Sequence, residues 1–126
     1  MRLQACYIEG VDGIRAIPKS LLIHEAVRAV SADSDRWGTE TLINRQKMDN
    51  IRIEPTEKII RDKNNAEVQL AATLFFDCRN SRPKGMAFAV DDIILVNEEM
   101  YKVQVCEPLY DARKLHHWEL GLVRHA

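Results

Sequence analysis

The residues best suited to chemistry are the adjacent pair His116-His117, the cysteines Cys6, Cys78 and Cys106, and the acidic doublets Asp91-Asp92 and Glu98-Glu99. Imidazole and thiolate are the usual protein ligands of zinc, and a thiol beside an imidazole is a nucleophile with its base. The spacings favour neither chemistry. Successive residues of a strand point to opposite faces, so His116 and His117 are not expected to hold one metal ion. The chain has no H-x-H, H-E-x-x-H or C-x-x-C to complete a site. Three widely spaced cysteines read as buried or idle thiols rather than a disulfide framework. There is no G-x-S-x-G elbow and no glycine-rich phosphate loop. Carboxylate doublets at turns are usually solvated faces. Catalytic, cofactor and metal residues are therefore assigned as none, and the chain is read as not an enzyme. A hydrolase that uses Cys78, or a histidine-bound metal, stays open; bound zinc or an unusually reactive thiol would support it.

A second constellation is basic. Arg79, Arg82 and Lys84, with Asn80 between them, stand in the loop Asp77–Gly85, close to Phe75 and Phe76. Single-strand binding uses a basic groove with stacking aromatics, which keeps a small nucleic-acid-binding barrel as an alternative. The totals weigh against it. Eighteen Lys+Arg against nineteen Asp+Glu give a net charge of -1, and only 6% of residues are aromatic. Long-range attraction to nucleic acid or an acidic membrane gains nothing from that balance. The cluster can equally face acidic groups on another protein. Trp37, an aromatic in a polar stretch, is either folded onto the core or offered to a partner. Arg79, Asn80, Arg82, Lys84, His116, His117 and Trp37 are accordingly the candidate partner-interface residues.

The elements that would position these residues are short strands. At 126 residues, with 46% hydrophobic and 29% charged, the chain suits one domain with one core. No apolar run approaches the roughly 20 residues that span a bilayer, so no membrane partner is expected and a soluble intracellular protein is. Residues 1–16 read as a loosely structured arm. Pro18 can open a single helical turn through Leu22, and Leu21–Val30 favours a strand over a helix. Residues 31–46 are polar and aperiodic, as in a long loop. Ile51 and Ile53 alternate with polar residues up to Pro55. Lys58–Arg61 and Val68–Phe76 flank the turn Asp62–Asn65 as a hairpin, with Val68–Phe76 as the central strand. Short strands are expected at Met86–Val90, Ile93–Val96 and Met100–Val105. A polar connection over Glu107–Lys114 then leads to a last strand, Leu115–Val123, with Trp118, Leu120 and Leu122 on one face. The expected fold is all-β with at most one short helix, a small antiparallel barrel or sandwich of about five to eight strands.

Several ordered pieces resemble the minor capsid protein family of tailed phages and prophages. They are Ile17-Pro18-Lys19 with Leu22, Ile51-Arg52-Ile53-Glu54-Pro55, and Leu74-Phe75-Phe76-Asp77-Cys78 running into Asn80-Ser81-Arg82-Pro83. Phe88 with Asp92 and Ile94, Tyr101-Lys102-Val103 and Pro108-Leu109-Tyr110 follow. The series closes on His116-His117-Trp118-Glu119-Leu120-Gly121-Leu122. The late pattern also looks like that of head-closure (stopper) and head–tail joining proteins. The resemblance implies a non-catalytic virion protein of the neck, in host cytoplasm during assembly. Its partners would be the portal and tail-side proteins, in a homo-oligomeric ring, with DNA nearby but not specifically bound. A tail-completion or capsid-decorating protein is the alternative within that class.

Overall fold

A computed structural model describes residues 15–32 and 41–125. The eight strands are β1 (His24–Ala32), β2 (Thr41–Pro55), β3 (Ile59–Arg61), β4 (Glu67–Gln69), β5 (Ala72–Asp77), β6 (Ile93–Val96), β7 (Glu99–Asp111) and β8 (Lys114–Arg124). Six of them close an antiparallel barrel in the order β1-β2-β5-β8-β7-β6, and β3 pairs with β4 in a separate ribbon. The one helical element among the described residues is a 3₁₀ turn, Lys19–Leu21, entered through Pro18.

Closure is possible because the inward positions of each strand carry apolar side chains of graded size. Met48, Ile51, Leu74, Phe76, Val103, Leu120 and Leu122 are buried, and Trp118 reaches the same core through Phe88. The rings of Phe76, Phe88 and Trp118 meet edge to face, with centroids 5.4 and 5.5 Å apart, the arrangement the ring quadrupole favours. A second, outer layer forms where Ile17 and Leu22 cover Phe75, which points out of the barrel wall. The chain just past the expected amino-terminal arm is thus packed from Ile17 onward; residues 1–14 lie outside the described residues.

Four expectations need correction. Val68–Phe76 is not one strand: Leu70 N–H donates to Lys58 O, but Ala71 N–H donates to Leu122 O. The chain changes sheets between those two residues, leaving the ribbon for the barrel, so the apolar alternation continues while the pairing partner switches. Met86–Val90 is not a strand either. Its alternation is real, since Met86 and Phe88 are buried and Ala87 and Ala89 exposed. Side chains serve its backbone instead of a neighbouring strand. Arg28 Nη2 donates to Ala87 O at 2.7 Å, and Asp92 Oδ2 accepts from Ala89 N–H at 2.9 Å. Arg28 and Asp92 are themselves 3.6 Å apart, both largely buried.

The third correction is the polar stretch 31–46. β1 runs to Ala32 and β2 starts at Thr41, with Val30, Ser31 and Ala32 paired to Ile43, Leu42 and Thr41. These pairs lie beyond Ala29, the last residue that β6 reaches. Solvent meets much of the hairpin there, so no apolar face had to be written into its sequence. Residues 33–40, with Trp37, lie outside the described residues. The fourth is Glu107–Lys114, where β7 continues to Asp111. Pro108 does not end it. Odd-numbered β8 residues 117, 119 and 121 face β7, because Leu122 O is turned to β5. Pro108, opposite Trp118, therefore turns its missing N–H away from the ladder, where proline is tolerated.

Two stability predictions arise here. A Cβ on Gly121 would stand 3.0 Å from Leu70 Cδ1 and 3.1 Å from Val105 Cβ. Gly121→Ala is expected to cost about 1–3 kcal/mol in denaturant unfolding, by forcing the ribbon off the barrel wall. His24 Nδ1 accepts the Ile53 N–H at 3.0 Å, which requires an unprotonated nitrogen. Burial, and then the Arg52 charge, hold this imidazole below the usual histidine range. The unfolded chain then takes up a proton first as pH falls. Stability present above about pH 6.5 is expected to decline as pH drops below it. His24→Gln should flatten that part of the stability–pH profile.

Candidate functional site

Cys78, the basic run 79–84 and His116-His117 gather at one end of the barrel, where β5 runs into the loop 78–85 and the β7–β8 hairpin turns; Cys106 in β7, and the doublets Asp91-Asp92 before β6 and Glu98-Glu99 at the β6–β7 turn, do not join them. Asp77 organises this end. Its side chain is fully buried; Oδ1 accepts the Ile17 N–H at 3.0 Å, while Oδ2 accepts those of Arg79 and Asn80 at 3.1 and 2.8 Å. An aspartate at the head of a turn that caps main-chain N–H groups two and three residues on is the favoured local solution there. Ser81, also fully buried, continues the lock. Its hydroxyl accepts the Asp77 N–H at 2.9 Å and donates to Asn50 O. Arg82 and Asp49 exchange both main-chain hydrogen bonds, next to the cis Arg82-Pro83 bond.

The candidate residues divide by what they do here. Asn80 and Arg82 hold the loop together. Asn80 Nδ2 donates to Ile17 O at 2.7 Å, and Arg82 Nη1 donates to the carbonyls of Arg79 and Ser81. Arg79 and Lys84 are exposed and take part in no ion pair among the described residues. They line a cavity of about 370 Å³ together with Cys78, Asp111, Lys114 and His116.

His116 and His117 depart from the opposite-face expectation. Their rings meet edge to face with centroids 4.9 Å apart, and the two Nδ1 atoms are 2.7 Å apart. Alternation sets the Cβ directions only. The β7–β8 ladder slips between Leu109 and Tyr110 beside this pair, and such a slip adds local twist. The contacts run on at both ends, since His116 Nε2 meets Arg15 O and His117 Nε2 meets Glu119 Oε2 at 2.9 Å. The two imidazoles and their end partners thus form one continuous polar chain, Arg15–His116–His117–Glu119. Nothing in the sequence signalled it, because the joining residues, Arg15 and Glu119, are ordinary surface types.

This end has little of a nucleophile's apparatus. Cys78 shares the cavity wall with His116, but both His116 ring nitrogens are committed to Arg15 and His117. Burial, and then the Asp77 charge, push the Cys78 thiol above its ordinary range, which reduces the reactive thiolate. Burial likewise raises Cys106, with Asp92 contributing. No group of three or more His, Cys, Asp or Glu side chains converges as metal ligands among the described residues.

A family model described as Minor capsid protein matches residues 18–122. That span contains nearly all of the barrel, the locked loop and the histidine pair. The chain belongs to the minor capsid protein family. Membership makes it a phage structural protein, a virion component, and points to a structural rather than a catalytic role. No curated protein matches the chain. For a minor capsid protein the arrangement is economical: the barrel supplies rigidity, and the polar side chains concentrate where loops meet.

Proposed function

We propose that this minor capsid protein is a head-completion component of the neck, seated between portal and tail and acting without catalysis. The observation that carries the reading is the division of the molecule. A closed barrel with a tightly packed core bears a loop end locked by Asp77 and Ser81 and a β1–β2 hairpin that outreaches the barrel's own pairings. A joining part needs such a rigid body, with docking elements projecting from it. In a ring, each copy meets its neighbours through two different patches. Individually weak contacts add up, because assembled neighbours stand at high effective concentration.

The test is co-purification with the portal protein and with tail-side proteins of the same phage at moderate salt. Retention on the portal is expected, with a tail-side protein joining once the portal complex has formed. Failure to bind either side contradicts the reading. Retention on DNA that falls steeply with salt, without binding to portal or tail proteins, would favour a nucleic-acid module instead.

A further inference from the structure

We propose that the cavity at the loop end is a docking site for an acidic protein segment, one or two carboxylate side chains of a partner entering between Arg79, Lys84 and Lys114. The inference rests on the assembly reading above and adds the chemistry of the partner.

Convergence of charge motivates it. Six cations of the barrel and ribbon, Arg28, Lys47, Arg52, Arg61, Lys102 and Arg124, are each ion-paired. Others, Lys58 and Lys63 among them, make no ion pair either; what sets Arg79, Lys84 and Lys114 apart is that three exposed cations, without an ion pair among the described residues, line one cavity. They come from two different elements, the loop after β5 and the start of β8, so folding alone brings them together. Asp77 lies on the same wall, but its two oxygens are turned to the N–H groups of Ile17, Arg79 and Asn80. Its charge is thereby used inside the fold. Asp111 is the other carboxylate on the wall. His116 completes it, held in place by Arg15 on one side and His117 on the other.

Shape selects among anions. About 370 Å³ accommodates a few side chains, not a duplex backbone. A site of this size takes one or two carboxylates of a peptide, which need not bring the continuous run of charge that a nucleic-acid backbone carries. Complementary charge of this kind steers encounter and sets register.

The test uses the full chain with two probes of similar charge, a labelled hexaglutamate peptide and a labelled single-stranded oligonucleotide. Amide chemical-shift mapping is expected to show the peptide perturbing Arg79, Lys84, Lys114 and His116. The triple variant Arg79→Glu, Lys84→Glu, Lys114→Glu should bind it at least tenfold more weakly, with unchanged melting temperature. Lys63→Glu, in the ribbon turn, should bind it as the unaltered chain does. Peptide shifts elsewhere on the barrel, or tighter binding of the oligonucleotide in this cavity, would overturn the inference; the mapping on the unaltered chain decides even if the triple variant fails to fold. Portal retention by the triple variant at the unaltered level would overturn the docking site while leaving the neck assignment intact. If the unaltered chain binds neither portal nor tail proteins, the neck assignment fails whatever the peptide does.

Discussion

Asp77→Ala is expected to lower the free energy of unfolding by roughly 3–4 kcal/mol, with effects reaching well beyond the substituted residue. The carboxylate accepts from three main-chain N–H groups that belong to two segments sixty residues apart, Ile17 on one side and Arg79 and Asn80 on the other. An alanine leaves all three without an acceptor, and the Asp77–Ile17 bond is buried. A donor stranded in a low-dielectric site costs more than a hydrogen bond contributes on average. Hydrogen exchange should therefore accelerate most at the Ile17, Arg79 and Asn80 amides. Faster exchange is also expected through Lys19–Leu22, since Ile17 and Leu22 are held together over Phe75. Asp77→Asn retains the shape and one carbonyl acceptor, so its loss should be smaller. An Asp77→Ala protein with unchanged stability and unchanged Ile17 exchange would show that the loop is held by Ser81 and the Arg82–Asp49 pairing alone.

Trp118→Ala should cost about 3–5 kcal/mol in urea unfolding. Trp118 faces the barrel interior, 9% exposed, and packs on Phe88, which packs on Phe76. Phe88 sits on the segment that crosses the barrel end without strand pairing, so the indole helps hold that segment in place. Truncation leaves a cavity that the closed barrel has little freedom to collapse into. The buried indole N–H has no hydrogen-bond partner among the described residues. Trp118→Phe therefore sacrifices only packing volume, and about 1 kcal/mol is expected for it. Lost assembly with an unchanged urea midpoint would place Trp118 at a partner surface instead.

How much of this could be read from the residues depends on what each segment had to satisfy. β8 was legible because Trp118, Leu120 and Leu122 face one core while the residues between them stay on the outside, so a period of two survives. The hairpin at Asp62–Asn65 was legible too: Asp62 Oδ1 caps the N–H groups of Asn64 and Ala66, and Asn65 takes φ 62°. The segment Met86–Ala89 shows the limit of periodicity. Alternating burial arises wherever an extended chain crosses a core, and only the hydrogen-bond partner distinguishes a strand from a strap. Those partners, Arg28 and Asp92, are distant or ambiguous in sequence. Residues 41–43 failed for the opposite reason, since a hairpin exposed beyond the barrel has no core to imprint a pattern.

At the loop end the sequence located the right neighbourhood but not the division of labour within it. Arg79, Asn80, Arg82 and Lys84 read alike as a basic, turn-forming run. The fold commits Asn80 and Arg82 to the loop and leaves Arg79 and Lys84 facing the cavity. Lys114 was not singled out because only the β7–β8 turn carries it there. His116 and His117 were rightly noticed, yet their mutual contact depends on a ladder irregularity that residue types do not announce.

The most direct test of the whole account is cryo-electron microscopy of intact particles, with symmetry relaxed at the portal vertex. The account predicts this barrel as a ring against the portal, with the end bearing Arg79, Lys84 and Lys114 buried on a neighbouring protein. The barrel found instead on the capsid lattice away from that vertex, or missing from finished particles, would contradict it.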